Sequence, residues 1–86
     1  MSALVVFSSS TTASRLKRLA VSRGLKGVTM TQSPRALSQN GCTYALRCPF
    51  DVLPTLLELA DVYHVKHGHV YKEMIDKEGR KLYQEM

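Results

Sequence analysis

The chain has 86 residues, 44% of them apolar and 22% charged, which fits one folded domain and excludes a string of domains and global disorder. A domain of this size buries only about 60% of the surface its unfolded chain exposes, and its two cysteines are too few for a disulfide framework. The net charge is +5, with Arg15, Lys17, Arg18, Arg23 and Lys26 close together; no aromatic residue interleaves with them, which argues for a solvated helix face rather than a nucleic-acid surface.

Ala3 to Phe7 is a short run of apolar, partly β-branched residues and predicts a strand buried on both faces, hence central in a sheet. It has no basic flank and is too short for a signal peptide or a membrane span. The expectation is a cytoplasmic protein with reduced thiols and no membrane partner. Ser8 to Thr12 follows as a turn rich in helix-capping residues. Ala13 to Arg23 predicts a helix with Ala13, Leu16, Leu19 and Ala20 on one stripe, closed by Gly24. Gly27 to Thr31 predicts a second strand, and Ser33-Pro34 the start of one helical turn. Asn40-Gly41 is a turn signal with Cys42 directly after it. Thr43 to Cys48 predicts a third strand with Tyr44, Leu46 and Cys48 on one face and Ala45 and Arg47 on the other. A second helix is predicted from Asp51, as its cap, to Asp61, with Pro54 in its first turn. Val62 to Lys66 predicts the fourth strand, with His67-Gly68 as punctuation. In the tail, Asp76-Lys77-Glu78-Gly79 reads as a turn between two short strands, with a helix as the alternative.

Strand, helix, strand, strand, helix, strand is the order of an α+β two-layer sandwich of the ferredoxin-like type, βαββαβ, with a C-terminal extension as a β-hairpin. In that fold the first two strands run parallel, so the start of the first helix and the Cys42 loop share one sheet edge. A helix N-terminus offers unpaired amides and partial positive charge, which stabilise a thiolate. Arg35 and Arg47 add positive charge, and the hydroxyls of Ser9, Ser10 and Thr11 are candidates to bind an anion. Cys42 is thus the candidate nucleophile; the plainer reading makes it a small residue in a tight loop. Cys48, on an apolar strand face, reads as core, and an extended strand holds it too far from Cys42 for a disulfide. His64, His67 and His69 come without a Cys-x-x-Cys pair, so no metal site and no cofactor are expected. No Gly-rich phosphate loop, Ser-His-Asp signature or carboxylate pair is present, and a carrier or binding protein is favoured over a stand-alone enzyme.

From Ser33-Pro34-Arg35-Ala36-Leu37-Ser38-Gln39-Asn40-Gly41-Cys42 through Ala45-Leu46-Arg47, the chain resembles the small bacterial selenium/sulfur carrier-like proteins. Val5-Val6-Phe7-Ser8-Ser9-Ser10 and Thr12-Ala13 fit the front of the same pattern, and the likeness runs from about Leu4 to Lys72. The resemblance implies a ferredoxin-like domain over residues 1–72, with 73–86 as an extension. It implies that Cys42 is the family's cysteine, with Pro34, Arg35, Gly41 and Arg47 as its neighbours. Thr43 stands where the family usually has Gly, which alters the loop beside the thiol. The function so implied is a sulfur or selenium carrier working through a Cys42 persulfide or selenopersulfide, with a donor or acceptor protein as partner. Two other readings compete with it. One is an anion-binding or homodimerising module without thiol chemistry. The other, ranked last, is a nucleic-acid module using the basic helix.

Overall fold

The computed structural model describes residues 2–33 and 44–86. In chain order its elements are β1 (Ser2–Phe7), α1 (Ser10–Ser22), β2 (Thr29–Gln32), β3 (Tyr44–Pro49), α2 (Leu53–Val62), β4 (Val70–Ile75) and β5 (Lys81–Glu85). The strands form one sheet in the order β2-β3-β1-β4-β5, antiparallel at every pairing. The fold is α+β, a five-stranded antiparallel sheet with two helices.

β1 lies between β3 and β4, as its unbroken apolar run demands. Ala3, Val5 and Phe7 point into the main core with Leu46 and Cys48 of β3. The helices close that core with Ala13, Leu16 and Ala20 from α1 and with Leu53, Leu56, Leu59 and Ala60 from α2. Leu16 and Leu56 are fully buried, and each such side chain contributes about 1.5–3 kcal/mol through burial. The alternate residues of β1, Leu4 and Val6, form a second buried cluster with Ala45, against which Tyr71 and Tyr83 pack. On this outer face Arg47 Nη2 meets Glu73 Oε2 at 2.9 Å. Burial, reinforced by the neighbouring Glu73, raises the Tyr83 phenol above its ordinary range.

Both helices end in a Schellman motif, in which two amides past the end bond back to the last turn. In α1, Gly24 N donates to Val21 O and Leu25 N to Ala20 O, both at 3.0 Å. Gly24 takes the required left-handed conformation at φ 77°. In α2, His64 N donates to Asp61 O at 3.3 Å and Val65 N to Ala60 O at 2.8 Å. Here a histidine occupies the left-handed position, at φ 55°.

That second ending corrects the sequence reading. Val62 to Lys66 is not the fourth strand: Val62 closes α2, Tyr63 and His64 turn the chain, and Val65 drops into the core. The fourth strand is Val70–Ile75, and it forms with β5 the hairpin expected in the tail. The second strand also starts later than expected, at Thr29, because Gly27 holds φ 81° against the Pro49 ring. Asp51 does not cap α2; the cap position is Val52, without a side-chain bond. The helical turn expected after Ser33 and the Asn40-Gly41 turn lie outside the described residues.

Candidate functional site

The register brings two strand ends together. Phe7, the last residue of β1, and Gln32, the last of β2, are both opposite Tyr44, the first of β3. β1 and β2 are each antiparallel to β3 and so run parallel to one another, finishing at the same edge. Ser33 and Tyr44 flank the segment 34–43, and Ser33 Oγ donates to Tyr44 O at 3.1 Å. Cys42, with Pro34, Arg35, Gly41 and Thr43, lies outside the described residues.

α1 begins at this edge, directly after β1. Ser9 is its N-cap, extended at φ −132° and ψ 132°, but its hydroxyl makes no capping bond. Its carbonyl accepts from Ala13 N at 3.2 Å, so the helix is wound from its first turn. Among the described residues no side-chain oxygen occupies the opening amides, which carry the donors and partial positive charge of a helix start. Ser9 and Ser10 are half-buried and Thr11 is exposed, so the three predicted hydroxyls stand together at the helix start.

A third piece joins them from beyond α2. Gly68 N donates to Val6 O at 2.7 Å and Val6 N to His69 O at 3.2 Å. These bonds fasten the 66–69 segment along the end of β1. Ser8, Thr12, Lys66, His67 and Gly68 line a cleft of about 330 Å³. A neighbouring cleft of about 480 Å³ shares Lys66 and His67 and adds Ala60, Asp61, His64 and Val65. The His67 ring stands edge-on to Phe7, with centroids 6.5 Å apart. Its Nδ1 is 2.7 Å from Gly68 O. A carbonyl can only accept, so Nδ1 carries the proton in this contact. The smaller cleft therefore sets Thr12, from the first turn of α1, beside a lysine and an imidazole, with no carboxylate among the described residues that line it. That chemistry suits an anion.

The sequence reading missed Lys66 and His67 as neighbours of the helix start: it treated Lys66 as a strand end, and His67 as punctuation and as one of three histidines weighed for a metal. Their place at the site depends on β4 starting at Val70, because only then does 66–69 lie alongside β1.

The structure does not bring Arg47 to this group. It sits three residues along β3 from Tyr44, on the outer face, with its guanidinium bonded to Glu73. Two of the basic residues of α1 also have partners: Arg15 donates to the Tyr63 carbonyl at 3.3 Å, and Arg23 bonds the Tyr63 hydroxyl. Cys48 is a free, buried thiol. Burial first, and Asp51 second, push its pKa up to about 11, so at neutral pH it is a protonated core residue. The histidines do not converge, since His69 pairs with Glu85 at 2.6 Å. Among the described residues no group of three or more His, Cys, Asp or Glu side chains is arranged to hold a metal ion.

A family model described as "Putative Se/S carrier protein-like" matches residues 2–72. The chain belongs to this Se/S carrier-like family. The match takes in β1, the start of α1, the Cys42 segment, Lys66 and His67, and it ends inside β4. No curated protein and no solved structure matches the chain. Among the described residues no helix is long and apolar enough to cross a membrane.

Proposed function

We propose that this Se/S carrier-like protein accepts sulfur or selenium on Cys42 and passes it from a donor protein to an acceptor. In the loading step the Cys42 thiolate attacks the terminal sulfur of a donor persulfide. One sulfur–sulfur bond forms and one breaks, the donor leaves as a thiolate, and nothing is oxidised or reduced overall. With selenium as cargo, the terminal atom is selenium and the product is a selenopersulfide.

The observation that carries this reading is the family match across the Cys42 segment. The geometry around the segment's ends supports it. Cys42 stands two residues before Tyr44, and two trans peptide links span about 7.6 Å at most. Tyr44 itself lies where β1 ends and α1 starts. A thiolate in that neighbourhood is stabilised by the open amides of α1, by Lys66 and by Arg35. The hydroxyls of Ser9, Ser10 and Thr11 donate to the terminal sulfur or selenium anion, and His67 Nε2 takes the thiol proton. Pro34, Gly41 and Thr43 shape the loop. Arg47, bonded to Glu73 on the far face, stands apart from this group. We read the fold itself as ferredoxin-like, since β2-β3-β1-β4 is the strand order of that sandwich, with β5 added at its edge. A reduced thiol is what the carrier needs, which suits the cytoplasm.

The test is persulfide loading followed by intact mass. The wild-type protein should gain one sulfur atom from a persulfide donor, and Cys42→Ser should gain none while its circular dichroism is unchanged. Full loading of Cys42→Ser overturns the proposal. A second reading, anion binding without thiol chemistry, draws on the cleft lined by Ser8, Thr12, Lys66 and His67. It predicts that an anion such as sulfate or phosphate binds wild type and Cys42→Ser equally and loses affinity in Lys66→Ala.

A further inference from the structure

The exposed edge of the sheet is complementary to itself. β5 pairs with β4 on one side and has no second strand neighbour among the described residues. Asp76 N donates to Arg80 O and Met86 N to Val70 O, both at 2.9 Å. These two bonds fix the alternation of the ladder. The even-numbered residues of β5 direct their N–H and C=O at β4, and Lys81, Tyr83 and Glu85 direct theirs away from the sheet. The same three residues carry their side chains on one face, because Tyr83 lies opposite Glu73 and Glu85 opposite Tyr71 on the outer side.

We infer that β5 is a homodimerisation edge, on which a second copy of this chain adds antiparallel about a two-fold axis beside Tyr83. In that register Tyr83 meets the partner's Tyr83, and Lys81 meets the partner's Glu85, twice by symmetry. Every outward N–H and C=O of Lys81, Tyr83 and Glu85 then finds a backbone partner, and each lysine faces a carboxylate. Shifting the axis by one residue keeps the backbone pattern but sets Lys81 against a tyrosine and leaves Glu85 unmatched. Charge therefore selects the register. Glu85 uses Oε1 for His69, which leaves Oε2 for the incoming lysine. Leu82, 48% exposed on the opposite face, is partly covered by the added strand. The other edge strand among the described residues, β2, reads Thr29-Met30-Thr31-Gln32 and has no charge to match. The two five-stranded sheets become one continuous sheet, a size natural open sheets reach.

The inference does not depend on Cys42, and the measurement is made under reducing conditions on wild type and on Cys42→Ser. Sedimentation equilibrium should show a monomer–dimer equilibrium. Lys81→Glu puts like charges opposite one another at both ends of the junction, and should weaken the dimer about tenfold or more. Lys81→Glu combined with Glu85→Lys restores opposite charges and should bring the dissociation constant back to within about threefold of wild type. Lys81→Pro removes an outward amide, spares every β4–β5 bond, and should also weaken the dimer. A wild type that stays monomeric at millimolar concentration overturns the inference. So does a dimer indifferent to Lys81→Glu, failure of the charge swap to restore it, or open-ended assembly through β2.

Discussion

Two cysteines in one small chain invite the question of which one reacts, and burial answers it for Cys48. Its thiol is fully covered by the main core, and burial with the Asp51 charge raises its pKa from 9.0 to about 11. The sequence showed this much, because Cys48 alternates with Tyr44 and Leu46 on an apolar strand face. In a Cys42→Ser protein at pH 8, native Cys48 should react with iodoacetamide at least about a hundredfold more slowly than after unfolding. Equal rates would mean that the core opens freely. The same shift has a consequence for stability. The folded state holds its proton more tightly than the unfolded chain. The contribution is thus fully present below the unfolded value near 9.0 and is lost as pH rises through about 11. Cys48→Ala should cost about 1–2 kcal/mol at neutral pH by leaving a small cavity. Its difference from wild type should shrink between pH 9 and 11, as measured by urea unfolding at each pH. A constant difference across that range would contradict the raised pKa.

At the scale of elements, legibility followed the punctuation. α1 could be read to within a few residues because its apolar stripe ends at Gly24, a residue that takes the left-handed turn without strain. α2 ends in the same motif with His64 in that position, and nothing in the local sequence marks it. Val62 to Lys66 is rich in β-branched and aromatic residues, so it read as a strand. The true β4 hid for the opposite reason. Its Lys72 covers the Phe50 ring and its Glu73 is buried against Arg47, so charged residues occupy both faces and the alternation is masked. The site suffered with it, since Lys66 and His67 belong to the α1 edge only when β4 starts at Val70. A histidine at φ 55° carries a strain that glycine does not. His64→Gly should stabilise the protein by about 1 kcal/mol, and Gly24→Ala, at the matching position of α1, should destabilise it by a similar amount. Thermal unfolding of the pair checks the assignment of both motifs. Destabilisation by His64→Gly would show that the imidazole makes contacts worth more than the strain it imposes.

At the scale of the whole molecule, the family match stops at Lys72, while the sheet does not. β4 runs on to Ile75, and Glu73, the first residue past the match, holds Arg47. Tyr83, from β5, packs over Leu4, Val6 and Ala45 on the face the helices leave bare. The last fourteen residues (73–86) therefore serve as the second cover of the central strand. A protein ending at Lys72 keeps only Val70 to Lys72 of β4, leaves Arg47 without its carboxylate, and opens the outer cluster to water. It should lose about 3 kcal/mol or more, a fall in Tm of about 12 °C or more for a domain of this size. A protein ending at Ile75 retains the Arg47–Glu73 pair and should fall between the two. Circular dichroism melts of the three lengths decide the matter. If the chain ending at Lys72 melts cooperatively at the full chain's Tm, then residues 73–86 are an appendage, and the outer cluster is held by β1, β3 and Tyr71 without them. If the Tm falls in two steps, the first step measures what Tyr83 and β5 contribute. The second then measures what Glu73 contributes as the buried counter-charge of Arg47.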